Sequence, residues 1–499
     1  MEPTFVSQLT GRPHPSSIPG RPPRAALVPA LNLVGALAAG LLLRLWMLKN
    51  LFQVNGDSLI YGDLAKNMLL HGRYALSGAN GQLIPTLIRL PGYPLFLALC
   101  FRIFGIENYY SAAVLQVVFE LLGCLLLAGF AARIAPPQFA SRVRLATLWL
   151  AALCPFTASY AVVPLAETLT LFMLALALWA MVRFQQRPGR KPSMVPEWAN
   201  ALCFTFAVTV TALLRPDGAL VAVALAPALV LSLCRPSPSA IPLKKLVSLT
   251  LVCALLALAP FAAWAARNWQ VFHVFQPLAP RQANDPWENS YPGWERWTRT
   301  WCLDFVSTYQ IYWNVPDGPF DISQLPSRAF DSPAQYAETA ALAADYNTRG
   351  YDLIPAIDAG FASLAQQRIA AHPLRYYLWL PLGRVADMTL RPRVENLNID
   401  LDWWVYAHHH SETIFSWSYA ALNVLYLLLA AAALWLRPRF WRAMLAYILL
   451  RSALLLTVEA PEARYTLEFF PILFPLAGIA ISSLLSKLNV QDPRAIIAP

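Results

Sequence analysis

The feature that most constrains the fold of this chain is a series of long apolar segments that recur along most of its length. A helix of about 20 apolar residues crosses the hydrocarbon core of a bilayer and satisfies its own backbone hydrogen bonds there. We therefore predict an all-α polytopic membrane protein with about ten transmembrane helices. Two of them, around Pro155 and Pro164, are short and are expected to be tilted or broken. The predicted spans are residues 27–48, 110–133, 146–161, 165–182, 199–214, 218–233, 246–266, 413–436, 441–457 and 465–485.

The composition excludes an ordinary soluble protein. Hydrophobic residues make up 57% of the chain and charged residues 13%, whereas soluble proteins carry about 25% charged residues. The net charge of +10 does not indicate a nucleic-acid-binding protein, because the basic residues are scattered among short loops. Among the seven cysteines only Cys302 lies in a long polar stretch, so the sequence predicts no disulfide framework and no zinc-type spacing.

The distribution of basic residues orients the chain in the membrane. Arginine and lysine are concentrated in every second connection, which places those connections on the cytoplasmic side. Both ends of the chain are then cytoplasmic, and the long polar region faces outward. The predicted parts are a disordered tail at 1–24, a membrane region at 25–266 that includes a first outer loop at 49–109, a large outer loop at 267–412, C-terminal helices at 413–487 and a tail at 488–499.

The first outer loop is predicted to carry two short helices that lie along the membrane surface. We expect Asp57 to be the N-cap of a helix that runs to about His71 and ends at Gly72. Apolar side chains fall on one side of this helix and polar ones on the other, which is typical of an interfacial helix. A second run, residues 91–104, is also too short for a span. The loop would therefore hold a carboxylate at the membrane surface.

Several arginines lie at the outward ends of spans or in outward loops, where the topology rule does not favour positive charge. Each has an alternative role, because its long side chain can reach lipid headgroups. Because all of them are predicted to lie on one side of the membrane, they are also suited to bind a phosphate or diphosphate there. Guanidinium groups bind such anions through paired hydrogen bonds. The four are Arg89, Arg215, Arg267 and Arg464.

Acidic residues on the same predicted side complete the candidate site. Alternatively, Asp57 is only a helix cap. Glu167 is alternatively a first-turn residue that the helix dipole favours. The outward acids are Asp57, Asp63, Glu167, Glu459 and Glu462.

Two further polar features have structural interpretations. Glu120 lies near the middle of the second span, where a carboxylate costs on the order of 3 kcal/mol unless it is paired or faces the bundle interior. Arg44 or Arg451 is the expected partner. The histidines at 408–410 are not assigned to a metal site, because adjacent side chains point in different directions.

The polar residues of the first outer loop resemble a motif of the GT-C glycosyltransferases, and in particular the bacterial relatives of the dolichyl-phosphate-mannose protein mannosyltransferases (families 39 and 83). The later segments around Glu167, Arg215, Arg267 and Arg464 are similar to further motifs of that group, whereas the large outer loop matches little. The first-loop residues that carry the resemblance are Asp57, Ser58, Tyr61, Ala65, Asn67, His71, Gly72, Pro85, Thr86 and residues 89–94.

The resemblance implies a GT-C-like fold and a glycosyltransferase of a bacterial inner membrane whose active site faces the periplasm. The donor would be a polyprenyl-phosphate-linked sugar, and transfer would invert the anomeric centre. Asp57 would activate or orient the acceptor, and Glu167 is the second residue assigned to catalysis. Ser58 follows Asp57 where many eukaryotic members have glutamate, which favours a lipid or polysaccharide acceptor over a protein. The residues assigned to substrate binding are Tyr61, Asp63, Arg89, Arg215, Arg267, Arg464 and Tyr465.

Some points stay open at the level of the sequence. Certain relatives use a divalent metal near the first-loop acid, and no residue here decides whether this chain does. A non-catalytic transporter or flippase of a lipid-linked saccharide is the alternative function. Such a transporter usually has an internal repeat or interrupted spans in matching halves, and the sequence indicates neither. A structural scaffold for envelope assembly would leave the outward acids and arginines unexplained.

The topology leads to a direct test with a cysteine-free variant. Single cysteines introduced near Asn284 and Gly350 should react with a membrane-impermeant thiol reagent in intact cells, because both positions are predicted to face outward. A cysteine at Gly189 should not react. Labelling at Gly189 without labelling at Gly350 would invert the predicted orientation.

Overall fold

The structure is a computed structural model, and it describes residues 24–183, 194–233, 242–280 and 284–490. Over these residues the chain is mainly helical, as predicted, and its strands are short. The α-helices are α1 Arg24–Leu51, α2 Asp57–His71, α3 Gly92–Phe104, α4 Tyr109–Ile134, α5 Ala140–Ala152, α6 Pro155–Ala161, α7 Glu167–Arg183, α8 Met194–Leu214, α9 Ala219–Leu233, α10 Leu243–Phe272, α11 Pro292–Arg299, α12 Phe305–Ser307, α13 Pro333–Thr348, α14 Pro355–Ala371, α15 Leu380–Leu390, α16 His410–Trp435, α17 Trp441–Leu455 and α18 Phe470–Val490.

Short elements connect these helices. The strands β1 Ala75–Ser77 and β2 Leu83–Pro85 form an antiparallel hairpin in the first outer loop, which the sequence did not predict. Turns of 3₁₀-helix lie at Pro137–Phe139, Pro216–Gly218, Ile322–Gln324, Ser327–Ala329 and Ala463–Phe469, and π-helical turns at Thr308–Tyr312 and Arg375–Trp379. The predicted tails and the loop around Gly189 fall largely outside the described residues.

The chain is a multi-pass membrane protein. Among the described residues, the helices long and apolar enough to cross a bilayer are Ala30–Leu51, Tyr109–Ile134, Leu243–Phe272, His410–Trp435 and Ala463–Ser486. A further candidate span is broken: Pro137–Ala152 and Pro155–Ala161 meet at an angle of 54°. This break lies at Pro155, where the sequence predicted one. The other predicted spans coincide with the shorter helices α7, α8, α9 and α17.

The bundle core forms where α4, α5, α7 and α18 pack together. Large apolar side chains such as Phe130, Phe156 and Phe470 are buried there. Gly478 allows α18 to approach α5, since a Cβ at this position would stand 2.1 Å from Oγ1 of Thr147. Small residues at such contacts let membrane helices pack closely.

One ion pair lies inside this bundle. Nε of Arg44 donates to Oε2 of Glu120, and Oγ1 of Thr157 donates to Oε1 at 2.8 Å. Nη1 of Arg44 also donates to the carbonyl of Ala152 at the end of α5, at 2.6 Å. Arg44 is therefore the partner of Glu120, and Arg451, the other sequence candidate, is not.

The region predicted to be the large outer loop has its own apolar cluster. Trp294, Trp297, Trp301 and Phe361 are buried together between α11 and α14. The preceding helix α10 continues to Phe272, beyond the predicted end of its span at residue 266. Arg267 therefore belongs to the last turns of α10.

The pair between Arg44 and Glu120 makes a prediction about stability. Replacing Glu120 by Leu leaves a buried guanidinium without a counter-charge, which should cost about 3–5 kcal/mol. The double variant Arg44→Met with Glu120→Leu removes both charges and should recover much of that loss. The measurement is the thermal unfolding midpoint of the purified protein in detergent. Equal destabilisation in the single and double variants would contradict a structural role for the pair.

Candidate active site

Asp57 begins helix α2 but does not cap it. Gly56 occupies the N-cap position with φ 48°, and no side chain caps this end of the helix. The predicted N-cap role of Asp57 is therefore wrong. The predicted C-terminus is confirmed, because Gly72 ends the helix in the left-handed conformation.

The carboxylate of Asp57 instead lies between two arginines. Oδ1 accepts from Nη2 of Arg89 at 2.6 Å, and Oδ2 accepts from Nη1 of Arg464 at 3.0 Å. Burial raises the pKa of Asp57, but the positive charges of Arg464 and Arg89 outweigh it and lower the pKa from 3.8 to about 2. Asp57 is thus held as a carboxylate with both oxygens paired.

Glu167 extends this arrangement from the first turn of α7. Its Oε1 accepts from Nη1 of Arg215 at 2.8 Å, and it also lies 3.8 Å from Nη1 of Arg464. The same Nη1 of Arg464 therefore stands between Asp57 and Glu167. The structure brings together two predicted acids and three predicted arginines, although they come from distant parts of the sequence.

Arg215 also forms ion pairs with two further acidic residues, Asp217 and Glu468. Its Nε lies 3.2 Å from Oδ1 of Asp217 and 3.1 Å from Oε1 of Glu468. Arg451 pairs with the same two acids, and its Nη1 lies 3.1 Å from Oδ2 of Asp217. The sequence analysis missed Asp217 and Glu468. Charged residues within apolar segments were the available signal.

Tyr465 and Glu462 hold Arg464 in place. Glu462 lies 2.5 Å from Nε of Arg464 and accepts from its Nη2 at 3.2 Å. The hydroxyl of Tyr465 donates to Oε1 of Glu462 at 2.5 Å, and its ring centre lies 5.6 Å from the guanidinium carbons of both Arg215 and Arg464. The segment Ala463–Phe469 thus positions two of the arginines.

The structure gives Arg267 different contacts. Its Nη2 donates to the carbonyl of Tyr74 at 2.7 Å, and its Nη1 donates to the carbonyl of Thr86 at 2.8 Å. These carbonyls belong to the segments on either side of the hairpin. The contacts described for Arg267 thus anchor the first outer loop to the end of α10, and they include neither Asp57 nor Glu167.

Asp63 and Tyr61 also have well-defined surroundings. Asp63 accepts from the backbone N–H of Ser77 at 2.6 Å and from its hydroxyl at 2.7 Å, so it fixes β1 against α2. The ring of Tyr61 packs edge-on against Tyr93, with ring centres 5.0 Å apart. Burial raises the pKa of Tyr61 to about 12. Through these contacts, Asp63 and Tyr61 hold helix α2, which begins at Asp57, against β1 and Tyr93.

The ion pairs described above form one charged network, which runs from Arg89 and Asp57 to Glu468 and Arg451. The exposure of the side chains differs between these two ends. The side chains of Asp57 and Arg89 are 22% and 23% exposed, whereas those of Glu468 and Arg451 are 1% and 0% exposed. Arg464, with a side chain 19% exposed, belongs with Asp57 and Arg89 to the partly exposed end, and the buried charges at the other end hold these residues in position.

The carboxylates next to the arginines do not fit a divalent metal. Both oxygens of Asp57 accept hydrogen bonds from guanidinium groups, and Oε1 of Glu167 does the same. A cation there would face positive charge on several sides. Elsewhere in the described chain, Asp400, Asp402 and His409 present ligand atoms within 4.8 Å of one another. Both aspartates are exposed, and only one of the three adjacent histidines belongs to this group.

The chain was compared with known proteins. No protein-family model and no curated protein matches it. Several solved structures are similar to it. The crystal structure of the Archaeoglobus fulgidus oligosaccharyltransferase with zinc and sulfate has a TM-score of 0.48 at 13% identity, and the match covers 93% of this chain and 50% of that one. The archaeal oligosaccharyltransferase AglB from Archaeoglobus fulgidus, in complex with an inhibitory peptide and a dolichol-phosphate, has a TM-score of 0.47 at 13% identity, and the match covers 95% of this chain and 52% of that one.

A third similar structure is ArnT from Cupriavidus metallidurans bound to undecaprenyl phosphate. Its TM-score is 0.40 at 16% identity, and the match covers 95% of this chain and 82% of ArnT. The chain spans about half the length of the oligosaccharyltransferases that it matches. With TM-scores below 0.5, none of these similarities assigns the chain to a family.

Proposed function

We propose that the chain is a membrane glycosyltransferase that moves a sugar from a polyprenyl-phosphate donor to a lipid or polysaccharide acceptor. The reaction would invert the anomeric centre and take place on the periplasmic side of a bacterial inner membrane. The observation that carries the proposal is the accessible carboxylate of Asp57 between Arg89 and Arg464, with Glu167 beside the second arginine. The sequence motifs that resemble GT-C enzymes contain the same residues.

The arginines supply what a phosphate leaving group requires. When the bond between the sugar carbon and the phosphate oxygen breaks, the electron pair remains on the phosphate and its negative charge increases. Guanidinium groups stabilise this charge through paired hydrogen bonds without transferring a proton. Arg89 and Arg464 are partly exposed. Arg215 is less exposed and forms an ion pair with Glu167. We assign these three to the phosphate and Arg267 to positioning the loop.

Asp57 supplies the second requirement, an acceptor for the proton of the attacking hydroxyl. With its pKa held near 2, Asp57 is a weak base in the ligand-free arrangement. A phosphate that binds Arg89 and Arg464 competes with Asp57 for their hydrogen bonds. Its negative charge also offsets theirs, so the pKa of Asp57 rises. Donor binding would thus activate the base next to the sugar that is to be transferred.

The proposed step balances without a metal. The acceptor oxygen attacks the anomeric carbon from the face opposite the phosphate, and the carbon–oxygen bond to the phosphate breaks. The hydroxyl proton passes to Asp57. Glu167 then keeps Arg464 and Arg215 in position, because it contacts both.

A substitution at Asp57 tests the function. Asp57→Asn keeps the size of the side chain but removes its basicity, so sugar transfer should fall by about 10²-fold or more. Binding of a polyprenyl phosphate should be kept or become tighter, because Asn lacks the negative charge with which Asp57 competes for the arginines. The readout is mass spectrometry of envelope lipids and polysaccharides from cells that lack the protein or produce wild type or variant, at equal amounts of folded protein.

Two comparison variants make the result specific. Asp345→Asn breaks an exposed aspartate–arginine pair of the outer region, in which Oδ1 lies 2.8 Å from Nε of Arg349, and it should leave transfer unchanged. Glu167→Gln should lower transfer, because it weakens the hold on Arg215 and Arg464. Full transfer by Asp57→Asn would refute the catalytic assignment. The absence of any mass difference between cells with and without the wild-type protein would refute the function itself.

A further inference from the structure

An apolar stripe is exposed along one helix of the region between α10 and α16. The π-helical turn Arg375–Trp379 continues directly into α15, Leu380–Leu390. From residue 374 to residue 390, every fourth position is a leucine or, once, Ala386, and each of these side chains is exposed. Residues four apart lie on the same face of a helix. The large exposed side chains of the apolar stripe are Leu374, Tyr377, Leu378, Trp379, Leu382 and Leu390.

The opposite side of this helix is buried and includes a charged residue. Arg384 is 1% exposed, and its Nε donates to the carbonyl of Cys302 at 2.7 Å. Met388 is buried on the same side, whereas Tyr377 of the apolar stripe is 69% exposed. A helix on the surface of a soluble protein turns its apolar face toward the core and its charged face toward water. Here the exposed face is the apolar one, so it is suited to contact with hydrocarbon rather than with water.

The C-terminal end of α15 is attached to two candidate membrane spans. Nδ2 of Asn423 donates to the carbonyl of Thr389 at 2.6 Å, and Oγ1 of Thr466 donates to the carbonyl of Met388 at 2.8 Å. Asn423 lies at the middle of α16, which has 26 residues. A helix of this length measures about 39 Å, whereas the hydrocarbon core is about 30 Å thick. If α16 crosses the whole core, its middle lies inside the core, and the end of α15 lies at that depth.

The apolar stripe also adjoins a surface of the kind that faces lipid. Helix α15 packs against α16, and α16 exposes Leu425 and Leu428 within its candidate span. At the other end of the stripe, Tyr377 and Trp379 belong to the residue types that are enriched where hydrocarbon meets the headgroups. Lipid therefore fits the whole length of the stripe, from its aromatic end to Leu390.

We infer that the apolar stripe is inserted into the bilayer, in the leaflet on the side of Arg464, with Tyr377 and Trp379 at the headgroup boundary. Lipid, rather than a second copy of the chain or another protein, then covers this face. Part of the predicted outer loop at 267–412 would thus lie in the membrane. Arg393 follows α15 and donates from Nη1 to the carbonyl of Ala463 at 2.7 Å. Insertion of the stripe would therefore hold the segment that carries Arg464 at the membrane surface.

The test places nitroxide spin labels on the full-length protein in lipid nanodiscs. Leu378→Cys, Leu382→Cys and Ala386→Cys are made singly in the cysteine-free variant, at exposed positions where a label does not disturb packing. Electron paramagnetic resonance measures how often each label collides with oxygen, which dissolves in lipid, and with a water-soluble nickel chelate. The ratio of oxygen to nickel collisions should exceed that of a water-exposed control by about tenfold or more, because a polar chelate loses its hydrogen bonds with water when it enters hydrocarbon.

The matched control is Glu338→Cys, at an exposed position of α13 in the same region, where the label should collide with the nickel chelate. Unfolding midpoints of the labelled variants confirm that each is folded. Ratios at the stripe equal to that at residue 338 would show that the stripe faces water and would overturn lipid insertion. Low collision rates with both reagents would show that protein covers the stripe, with spin–spin broadening if the cover is a second copy, and would overturn it as well. The measurement needs no substrate, so its outcome is independent of the transfer experiment.

Discussion

The structure of this site depends on the pairing of charges that would be costly to bury alone. A carboxylate or guanidinium removed from water loses several kcal/mol of solvation unless an opposite charge and further hydrogen bonds replace the water. Arg464 and Asp57 are 407 positions apart in the chain, yet they share a hydrogen bond. Arg451 and Glu468 form the fully buried end of the same network. These pairs fix α2, α7, α17 and the segment before α18 relative to one another.

Under the proposed function, the same pairing would keep the phosphate-binding arginines in position before the donor binds. Arg89 is paired with Asp57, and Arg464 is paired with Asp57 and Glu462, so neither guanidinium lacks a counter-charge. A phosphate can replace one carboxylate at modest net cost, because it offers the arginines the same charge and hydrogen-bonding geometry. In the proposed mechanism, the displaced carboxylate would then become a better base. The polar region between α10 and α16 is bound to the chain next to Arg464, through hydrogen bonds from Arg393 to the carbonyl of Ala463 and from Thr308 to the carbonyl of Pro461.

Much of the fold could be predicted from the sequence, because the lengths of apolar runs and the alternation of basic loops are local properties. The grouping of Asp57, Glu167, Arg89, Arg215 and Arg464 followed from their common predicted side of the membrane. The cap role of Asp57 was wrong because a local helix rule cannot account for partners far away in sequence. Asp217 and Glu468 were missed because pairing across helices leaves no spacing pattern.

The central claim is that Arg89 and Arg464 exchange Asp57 for a donor phosphate. The most direct measurement is an electron cryomicroscopy structure of the protein in nanodiscs with a bound polyprenyl phosphate. The account predicts phosphate density within hydrogen-bonding distance of Arg89 and Arg464, with the carboxylate of Asp57 moved away from at least one of them. Phosphate bound elsewhere, with the contacts of 2.6 Å and 3.0 Å from Asp57 to the two arginines intact, would contradict it.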